Sequence, residues 1–235
     1  MTTSLPSLIP ANDASRLAAL NRYQLLDARR EKVLDDVVAA TARLFRVANA
    51  MLSIVEESSV LVKAPFNLPG NTERVPRAQS LCSATILQND TVVFEDVDQS
   101  SAPGVDTSLV KQLGLHFYAG HNLRTPDGHN IGTLCLLDGP PRHFALIERH
   151  LLGQLASLVM HLLELRRLLG PHHGITAIFW DAIYRAMSEQ LNRLGNLAET
   201  TTAAGASPLT PAKAQEAGSI VRRLDDLVTA TLRQK

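Results

Sequence analysis

Cysteine, net charge and long apolar runs are all scarce in this sequence, and each scarcity excludes a class of protein. The 235 residues include two cysteines, Cys82 and Cys135, which are too few for a disulfide-rich secreted scaffold and too far apart for a CxxC zinc site. Lysine plus arginine and aspartate plus glutamate both number 23, so no basic surface points to nucleic acid. Apolar stretches are broken by charged residues or histidine well before the roughly 20 residues that a membrane span needs.

The first residues also lack the features of a targeting segment. No basic region is followed by an apolar stretch, so no signal peptide is predicted. Two buried free thiols are typical of a reducing compartment. We therefore expect a cytoplasmic protein that does not bind nucleic acid or a membrane.

The sequence does contain a clear change of hydrophobic period along the chain. Apolar residues recur at helical spacing near both ends and at strand spacing between them. Helices are predicted at about 12–26, 31–45, 144–169, 175–197 and 212–232, with short helical segments at 80–88 and 106–113. Strands are predicted at 49–55, 59–66, 91–94, 115–123 and 130–137, and an exposed polar loop at 67–79. Strands that follow each other as hairpins, with helices before and after, predict an α+β fold with one antiparallel sheet.

The turn at Thr125-Pro126-Asp127-Gly128 is the strongest local signal. Proline fixes φ, and Asp-Gly supplies the left-handed geometry of a tight turn. Because apolar strands flank it on both sides, the sequence predicts a β-hairpin over residues 115–137.

Three stretches together resemble a GAF domain of the bacterial signalling type. Residues 117–138, FYAGHNLRTPDGHNIGTLCLLD, resemble the penultimate hairpin of such domains. Residues 80–100, SLCSATILQNDTVVFEDVDQS, resemble their short helix, strand and Asp-containing loop. Residues 14–57 resemble their entry of two helices and a first strand.

The resemblance covers residues 12–169 and implies an antiparallel sheet of five or six strands. Helices would pack on one face of this sheet, and covering segments would enclose a small-molecule pocket on the other. The long helices at about 12–46 and 144–169 would form a dimer bundle that carries the signal onward. The same division leaves a flexible N-terminus at 1–11 and a C-terminal helical hairpin at 170–235.

The chain departs from three specialised groups of this family. Cys82 is not followed by the histidine that bilin-binding relatives often carry. Two cysteines do not supply the cysteine set of the free methionine sulfoxide reductases. The Asn-Lys-x-Phe-Asp-type motif of cyclic-nucleotide relatives is absent. The sequence therefore identifies no ligand or cofactor, and no metal site is predicted.

Cys82 and Asp96 are candidates for the pocket, and each has a simpler structural alternative. Cys82 lies near the start of a short helix, whose dipole lowers a thiol pKa, so it could sense oxidants. Buried cysteines are more often plain core residues, and the mid-strand Cys135 is predicted to be inert core. Asp96 could contact a ligand, but aspartates in such loops usually cap turns.

Phe117, Tyr118 and His121 complete the set of pocket candidates. Phe117 and Tyr118 are adjacent in a strand, so one should face the helices and the other the pocket. Tyr118 is the better pocket candidate because its hydroxyl can contact a ligand. His116 and His121 should point to opposite faces, and a lone strand histidine is more often packed or solvated than a ligand contact.

The last 60 residues permit two interpretations. They resemble a histidine-kinase dimerisation-and-phosphotransfer hairpin, but the comparable stretch Met187-Ser188-Glu189 contains no phospho-accepting histidine. The alternative is a helical extension that packs on its own domain or on a second copy. The apolar stripe needs cover in either case, and a parallel homodimer is the simplest solution.

Three functions follow from these observations. The first is a ligand-binding sensor, which predicts a closed pocket of a few hundred cubic ångström with convergent polar groups. The second is an interaction scaffold that binds a signalling protein, with a filled pocket and a broad apolar surface on residues 144–232. The third is a thiol redox sensor or enzyme, which requires a second reactive thiol near Cys82. Because GxSxG, HExxH and P-loop motifs are absent, we expect no catalytic activity.

Overall fold

A computed structural model describes residues 7–26, 30–100, 102–169, 175–197 and 209–233. The helices are α1 (Asp13–Asn21), α2 (Lys32–Phe45), α3 (Leu81–Thr85), α4 (Ser108–Gln112), α5 (Leu146–Leu169), α6 (Ile175–Asn196) and α7 (Pro211–Arg233). The strands are β1 (Asn49–Val55), β2 (Ser59–Phe66), β3 (Arg74–Pro76), β4 (Val92–Phe94), β5 (Phe117–Arg124) and β6 (Asn130–Asp138). Each predicted helix and strand has a counterpart, and β3 is additional.

The six strands form one antiparallel sheet in the order β3-β2-β1-β6-β5-β4. The first strand, β1, and the last strand, β6, lie side by side at the centre of the sheet. Met51 of β1 is opposite Cys135 of β6. The β5–β6 turn has the predicted geometry, since Gly128 adopts φ of +88°. The predicted α+β class, with helices flanking one antiparallel sheet, is confirmed.

The two faces of the sheet bury two separate apolar clusters. Alternate residues of each strand point to opposite faces. The larger cluster contains Phe117 and Leu134 and lies between the sheet and the helices α2, α5, α6 and α7. The smaller cluster contains Tyr118 and Cys135 and lies under the segments that join β2 to β5. We call these covering segments, residues 67–100 and 102–116, the lid.

The two C-terminal helices pack on the same chain. α6 lies against α2, and α7 lies against α5. Met187 and Leu191 of α6 and Ile220 and Leu224 of α7 are buried in the larger cluster. This matches the predicted extension packed on its own domain, whereas the resemblance to a phosphotransfer hairpin stays a prediction.

The expected broad apolar surface on residues 144–232 is not found among the side chains that the structure describes there, which are those of residues 144–169, 181–197 and 209–232. Their exposed large apolar side chains are those of Leu146, Ile147, Leu168 and Leu227. Leu146 and Ile147 lie at the start of α5, and Leu168 lies at its end, so they do not form one stripe. Within the described ranges, no helix is both long enough and apolar enough to cross a membrane.

Two local predictions need correction. The first helix ends at Asn21 rather than near residue 26, because the chain turns there and Gln24 adopts a positive φ of 49°. The segment 67–79 is not a plain exposed loop, since β3 extends the sheet edge and Arg77 is buried. Arg77 also donates a 2.9 Å hydrogen bond to the carbonyl of Leu8. The rest of the expected flexible N-terminus, residues 1–6, lies outside the described residues.

Candidate functional site

A small cavity of about 70 Å³ lies between the lid and the face of the sheet that carries Tyr118. Its walls are mostly aliphatic, with Val60 and Leu137 on the sheet and Leu81 and Val110 on the lid. Cys82 and Tyr118 also line it, as do the polar residues Thr72, Gln79 and Ser80. The site therefore favours a small and largely apolar occupant.

The volume of this cavity decides between classes of ligand. Pockets for drug-sized ligands span about 300–1,000 Å³, and one water occupies about 30 Å³ of liquid. A cavity of about 70 Å³ admits only a few heavy atoms and is too small for a nucleotide or a tetrapyrrole in this conformation. The cavity beneath the lid is thus smaller and less polar than the closed pocket of a few hundred cubic ångström with convergent polar groups that a ligand-binding sensor predicts.

Tyr118 is held under the lid by its hydroxyl. This oxygen lies 2.8 Å from Oγ1 of Thr85 and 3.6 Å from Sγ of Cys82. Its ring occupies space above Gly120, where an added Cβ would lie 2.3 Å from the hydroxyl oxygen. Burial raises the pKa of Tyr118 well above its usual value, so the phenol stays protonated and available as a donor. The sequence prediction that Tyr118 faces the covered side of the sheet is in accord with this position.

Cys82 and Cys135 meet beside Tyr118, with their Sγ atoms 3.8 Å apart. Cys82 belongs to α3, whose N-cap Ser80 accepts a 3.3 Å hydrogen bond from the Cys82 backbone N–H. Cys135 lies at the centre of β6, with Sγ 3.6 Å from the carbonyl oxygen of Met51. Both thiols are free and buried. The predicted core position of Cys135 is correct, and its contact with Cys82 is new.

The two thiols have opposite acidities. Hydrogen bonds from Cys135 and from the hydroxyls of Ser53, Thr133 and Tyr118 lower the pKa of Cys82, although burial opposes them. Burial raises the pKa of Cys135, and the neighbouring Cys82 adds to this effect. Cys82 is therefore the thiol that loses its proton first.

Phe117 does not line the cavity, which corrects its place among the pocket candidates. Its ring lies in the larger cluster, 5.7 Å from the ring of Phe144 and 5.3 Å from the guanidinium of Arg142. Phe117 therefore contacts the helical side of the sheet, while its neighbour Tyr118 contacts the lid. This is the alternation that the strand pattern predicts.

His121 also faces the helices rather than the cavity. Its Nδ1 lies 2.8 Å from the Thr91 hydroxyl, and its ring lies against Gly153 of α5. Burial lowers the pKa of His121, so the ring is neutral near pH 7. This is the packed position that was the alternative to a ligand contact beneath the lid, and His121 also lines an open surface pocket with Arg149 and His150.

Asp96 acts within the lid as a turn residue. Its Oδ1 accepts a 2.9 Å hydrogen bond from the backbone N–H of Asp98. The side-chain atoms of Asp96, Asp98 and His116 that could coordinate a metal ion lie within 4.8 Å of one another. Asp98 is already bound by His116 at 2.7 Å and by Lys111 at 3.0 Å. Asp98 therefore already has two partners within the protein, and Asp96 is not among the residues that line the cavity.

The chain is similar to known proteins in both sequence and fold. The sequence model described as GAF domain matches residues 29–163, which is more than half of the chain. The chain belongs to the GAF domain family. This confirms the resemblance predicted from the three sequence stretches, and it makes the protein a sensory domain of the kind found in signalling proteins.

Individual relatives of this GAF domain share about a third of its residues or fewer. A cyclic di-GMP phosphodiesterase of Pseudomonas aeruginosa is 32% identical over 155 residues, or 64% of this chain and 26% of that protein. The chain thus spans about a quarter of the length of the curated relative it matches. The GAF domain of an Acinetobacter phosphoenolpyruvate-protein phosphotransferase is 16% identical, with a TM-score of 0.49 over 66% of this chain and 97% of that one. A free methionine-R-sulfoxide reductase from Neisseria meningitidis is 19% identical, with a TM-score of 0.48 over 70% and 98%.

The hydroxyl groups around the thiols of this GAF domain were not predicted from the sequence. Ser53 and Thr133 lie on neighbouring strands, with their side-chain oxygens 2.8 Å apart, and Thr85 lies on α3. These residues come from three separate parts of the chain, so no local motif marks them. The alternation of side chains along a strand could have indicated them. Thr133 and Cys135 are two positions apart on β6, so they face the same side of the sheet, and Ser53 on β1 faces that side as well.

Proposed function

We propose that this GAF domain is the sensory module of a signalling protein and binds a small, largely apolar molecule beneath its lid. The observation that carries this proposal is the cavity of about 70 Å³, with mostly aliphatic walls that also include Tyr118 and Cys82. Burial of apolar ligand surface supplies affinity, while one or two polar contacts supply orientation. A larger molecule would require the lid to open.

The same strand connects the cavity to the helices. On β5, Tyr118 contacts the lid, and the adjacent Phe117 packs against Phe144, just before α5 begins. A ligand that displaces Tyr118 would shift β5 and therefore the contact between Phe117 and Phe144. We propose that this contact carries the signal to the start of α5.

The module would act on other proteins and would have no catalytic activity of its own. The relative named as a cyclic di-GMP phosphodiesterase is mostly composed of sequence that this chain does not match. That relation supports a regulatory role in a signalling system, with a signalling protein as partner and the cytoplasm as location. A homodimer through the terminal helices is also part of this proposal. Because α6 and α7 cover α2 and α5, such a dimer would require the hairpin to move or to exchange between copies.

A second candidate function is a scaffold that does not bind ligands. The small size of the cavity favours it, because side chains of the protein itself occupy most of the space between lid and sheet. In that case the lid would be a fixed layer, and the signal would enter through a partner protein.

One experiment separates the two candidates. Xenon is a small apolar probe, and we expect it to shift the methyl NMR signals of the cavity residues Met51 and Val60 in the full chain. The Val110→Phe variant should abolish these shifts by filling the cavity, whereas Leu87→Phe, at a partly exposed position outside it, should not. Absence of shifts in the native chain would contradict the sensor and favour the scaffold. Native mass spectrometry of the purified chain, with an absorption spectrum, would then show any retained ligand.

A further inference from the structure

The paired thiols of Cys82 and Cys135 form a feature that the proposed ligand binding does not use. Their sulfur atoms are in van der Waals contact at 3.8 Å, one on the lid and one on the central strand β6. We propose that these two residues are a redox modification site, at which a peroxide converts the pair to a disulfide that ties α3 to β6. This proposal holds whether or not the cavity takes a ligand.

The two elements differ in their freedom to close the remaining distance. A disulfide needs a sulfur separation of about 2.05 Å, so the thiols must approach by somewhat less than 2 Å. Cys135 is fixed, because β6 is paired with β1 on one side and with β5 on the other. Cys82 lies on α3, a helix of five residues that is joined to the sheet by lid segments. The short helix can therefore move to the strand.

The surroundings of Cys82 favour a thiolate more than a plain core position would. The Tyr118 hydroxyl lies 3.6 Å from Sγ of Cys82, and the hydroxyls of Ser53 and Thr133 also face this sulfur. Together with the Cys135 thiol, these groups are hydrogen-bond donors, and they lower the pKa of Cys82. A thiolate is the nucleophilic form of cysteine. The geometry thus assigns Cys82 as the attacking residue and Cys135 as the resolving residue.

The cavity gives a small oxidant a place beside Cys82. Cys82 is in its wall, whereas Cys135 is not among the residues that line it. Hydrogen peroxide has two heavy atoms, and a volume of about 70 Å³ exceeds what one or two water-sized molecules need. The wall also includes Thr72, whose side chain is exposed, so the cavity approaches the surface there. Bulky disulfides and thiol reagents would be excluded by this size.

The chemistry balances with peroxide as the only co-reactant. The Cys82 thiolate attacks one peroxide oxygen, an S–O bond forms, the O–O bond breaks, and the departing hydroxide takes a proton to become water. The Cys135 sulfur then attacks the sulfenic sulfur of Cys82, the S–S bond forms, and the S–O bond breaks. The hydroxide that leaves combines with the Cys135 proton as a second water. The two thiols lose two electrons, and the peroxide gains them.

The test uses the reduced full chain and a modest molar excess of hydrogen peroxide. We expect the intact mass to fall by about 2 Da, for the loss of two hydrogens, and to return when the peroxide is removed and a dithiol reductant is added in denaturant. A non-reducing tryptic digest should contain one linked species that joins peptides 78–111 and 125–142. An unchanged mass would overturn the proposal, as would a link that forms only between chains or only in denaturant.

Two matched variants test the assigned roles. In Cys135→Ser, oxidation should stop at a sulfenic acid on Cys82, which dimedone traps when it is added with denaturant after the peroxide has been removed. In Cys82→Ser, the remaining Cys135 should give at least about tenfold less dimedone adduct, because its buried thiol stays protonated. The opposite pattern, or equal trapping, would overturn the assignment of Cys82 as the attacking residue. The mass and peptide measurements on the native sequence need no variant and stand if either variant fails to fold.

Discussion

At the scale of single residues, the buried carboxylate of Glu148 is the clearest case of a charge that the fold requires. Its side chain is fully buried, is paired with Arg142, and accepts a 2.8 Å hydrogen bond from the backbone N–H of Ala145 at the start of α5. Arg142 in turn donates a 2.6 Å hydrogen bond to the carbonyl of Phe45, at the end of α2. Removal of one partner of a buried ion pair leaves the other charge uncompensated.

We therefore expect Glu148→Gln to lower the free energy of unfolding by about 3 kcal/mol in urea titrations. The matched control is Glu216→Gln, which removes an exposed ion pair with Arg193. Exposed pairs contribute about 0–1 kcal/mol, so this control should change the unfolding free energy little. Equal effects of the two variants would show that the buried pair has no special role.

A second prediction at this scale concerns Asp13 and pH. Burial raises the pKa of Asp13, but hydrogen bonds from Arg16 and Arg77 outweigh it, and the net pKa lies below its usual value. Because the folded pKa is lowered, the stabilising contribution is complete at pH 7 and is lost as pH falls through the folded pKa.

Urea titrations of the native chain and Asp13→Asn should therefore differ by about 1–3 kcal/mol at pH 7. The difference should shrink below about pH 4, where the unfolded carboxylate becomes protonated. Asp226→Asn, at an exposed position of α7, should show no such trend. A difference that is constant from pH 7 to pH 3 would contradict the linkage.

Among the elements, the central strand pair β1–β6 leaves no room for a side chain at Gly132. A Cβ added there would lie 2.1 Å from the backbone oxygen of Ser53, which cannot move without breaking the ladder. We expect Gly132→Ala to lower the free energy of unfolding by about 3 kcal/mol, measured by chemical denaturation. Gly139→Ala, whose nearest contact would be an ordinary 3.4 Å, is the control and should be nearly neutral. A neutral Gly132→Ala would contradict the tight β1–β6 packing.

The elements also show which predictions a local pattern can support. The limits of β1 and β2 were predicted to the residue, because an apolar run ends on both sides at polar turn residues. β3 was missed because its three residues, Arg74–Pro76, form an edge strand with no apolar alternation and contain a proline. The burial of Arg77 was missed as well, since its partners Asp13 and Leu8 lie more than 60 residues away.

For the whole molecule, the order of helices and hairpins and the family resemblance both predicted the fold class, but neither could predict the contacts that build the site. The two thiols are 53 positions apart, and their meeting depends on how the lid crosses the sheet. The alternation of side chains along β5 predicted that Phe117 and Tyr118 face opposite sides of the sheet, but it did not predict which side the lid covers. His121 was placed among the pocket candidates for the same reason, because one strand alone does not define the two faces.

α7 covers the apolar face of α5, and this contact affects the oligomeric state of the whole chain. Ile220 of α7 is fully buried in the larger cluster, so Ile220→Asp should detach α7 and expose the apolar face of α5. An uncovered apolar helix face promotes association between copies of the chain. Light scattering after size exclusion should therefore show a higher mass for the variant than for the native chain. Ala230→Asp, at an exposed position of the same helix, should leave the mass unchanged. If Ile220→Asp instead lowered the mass, α7 would join two copies, and the terminal helices would form the homodimer directly.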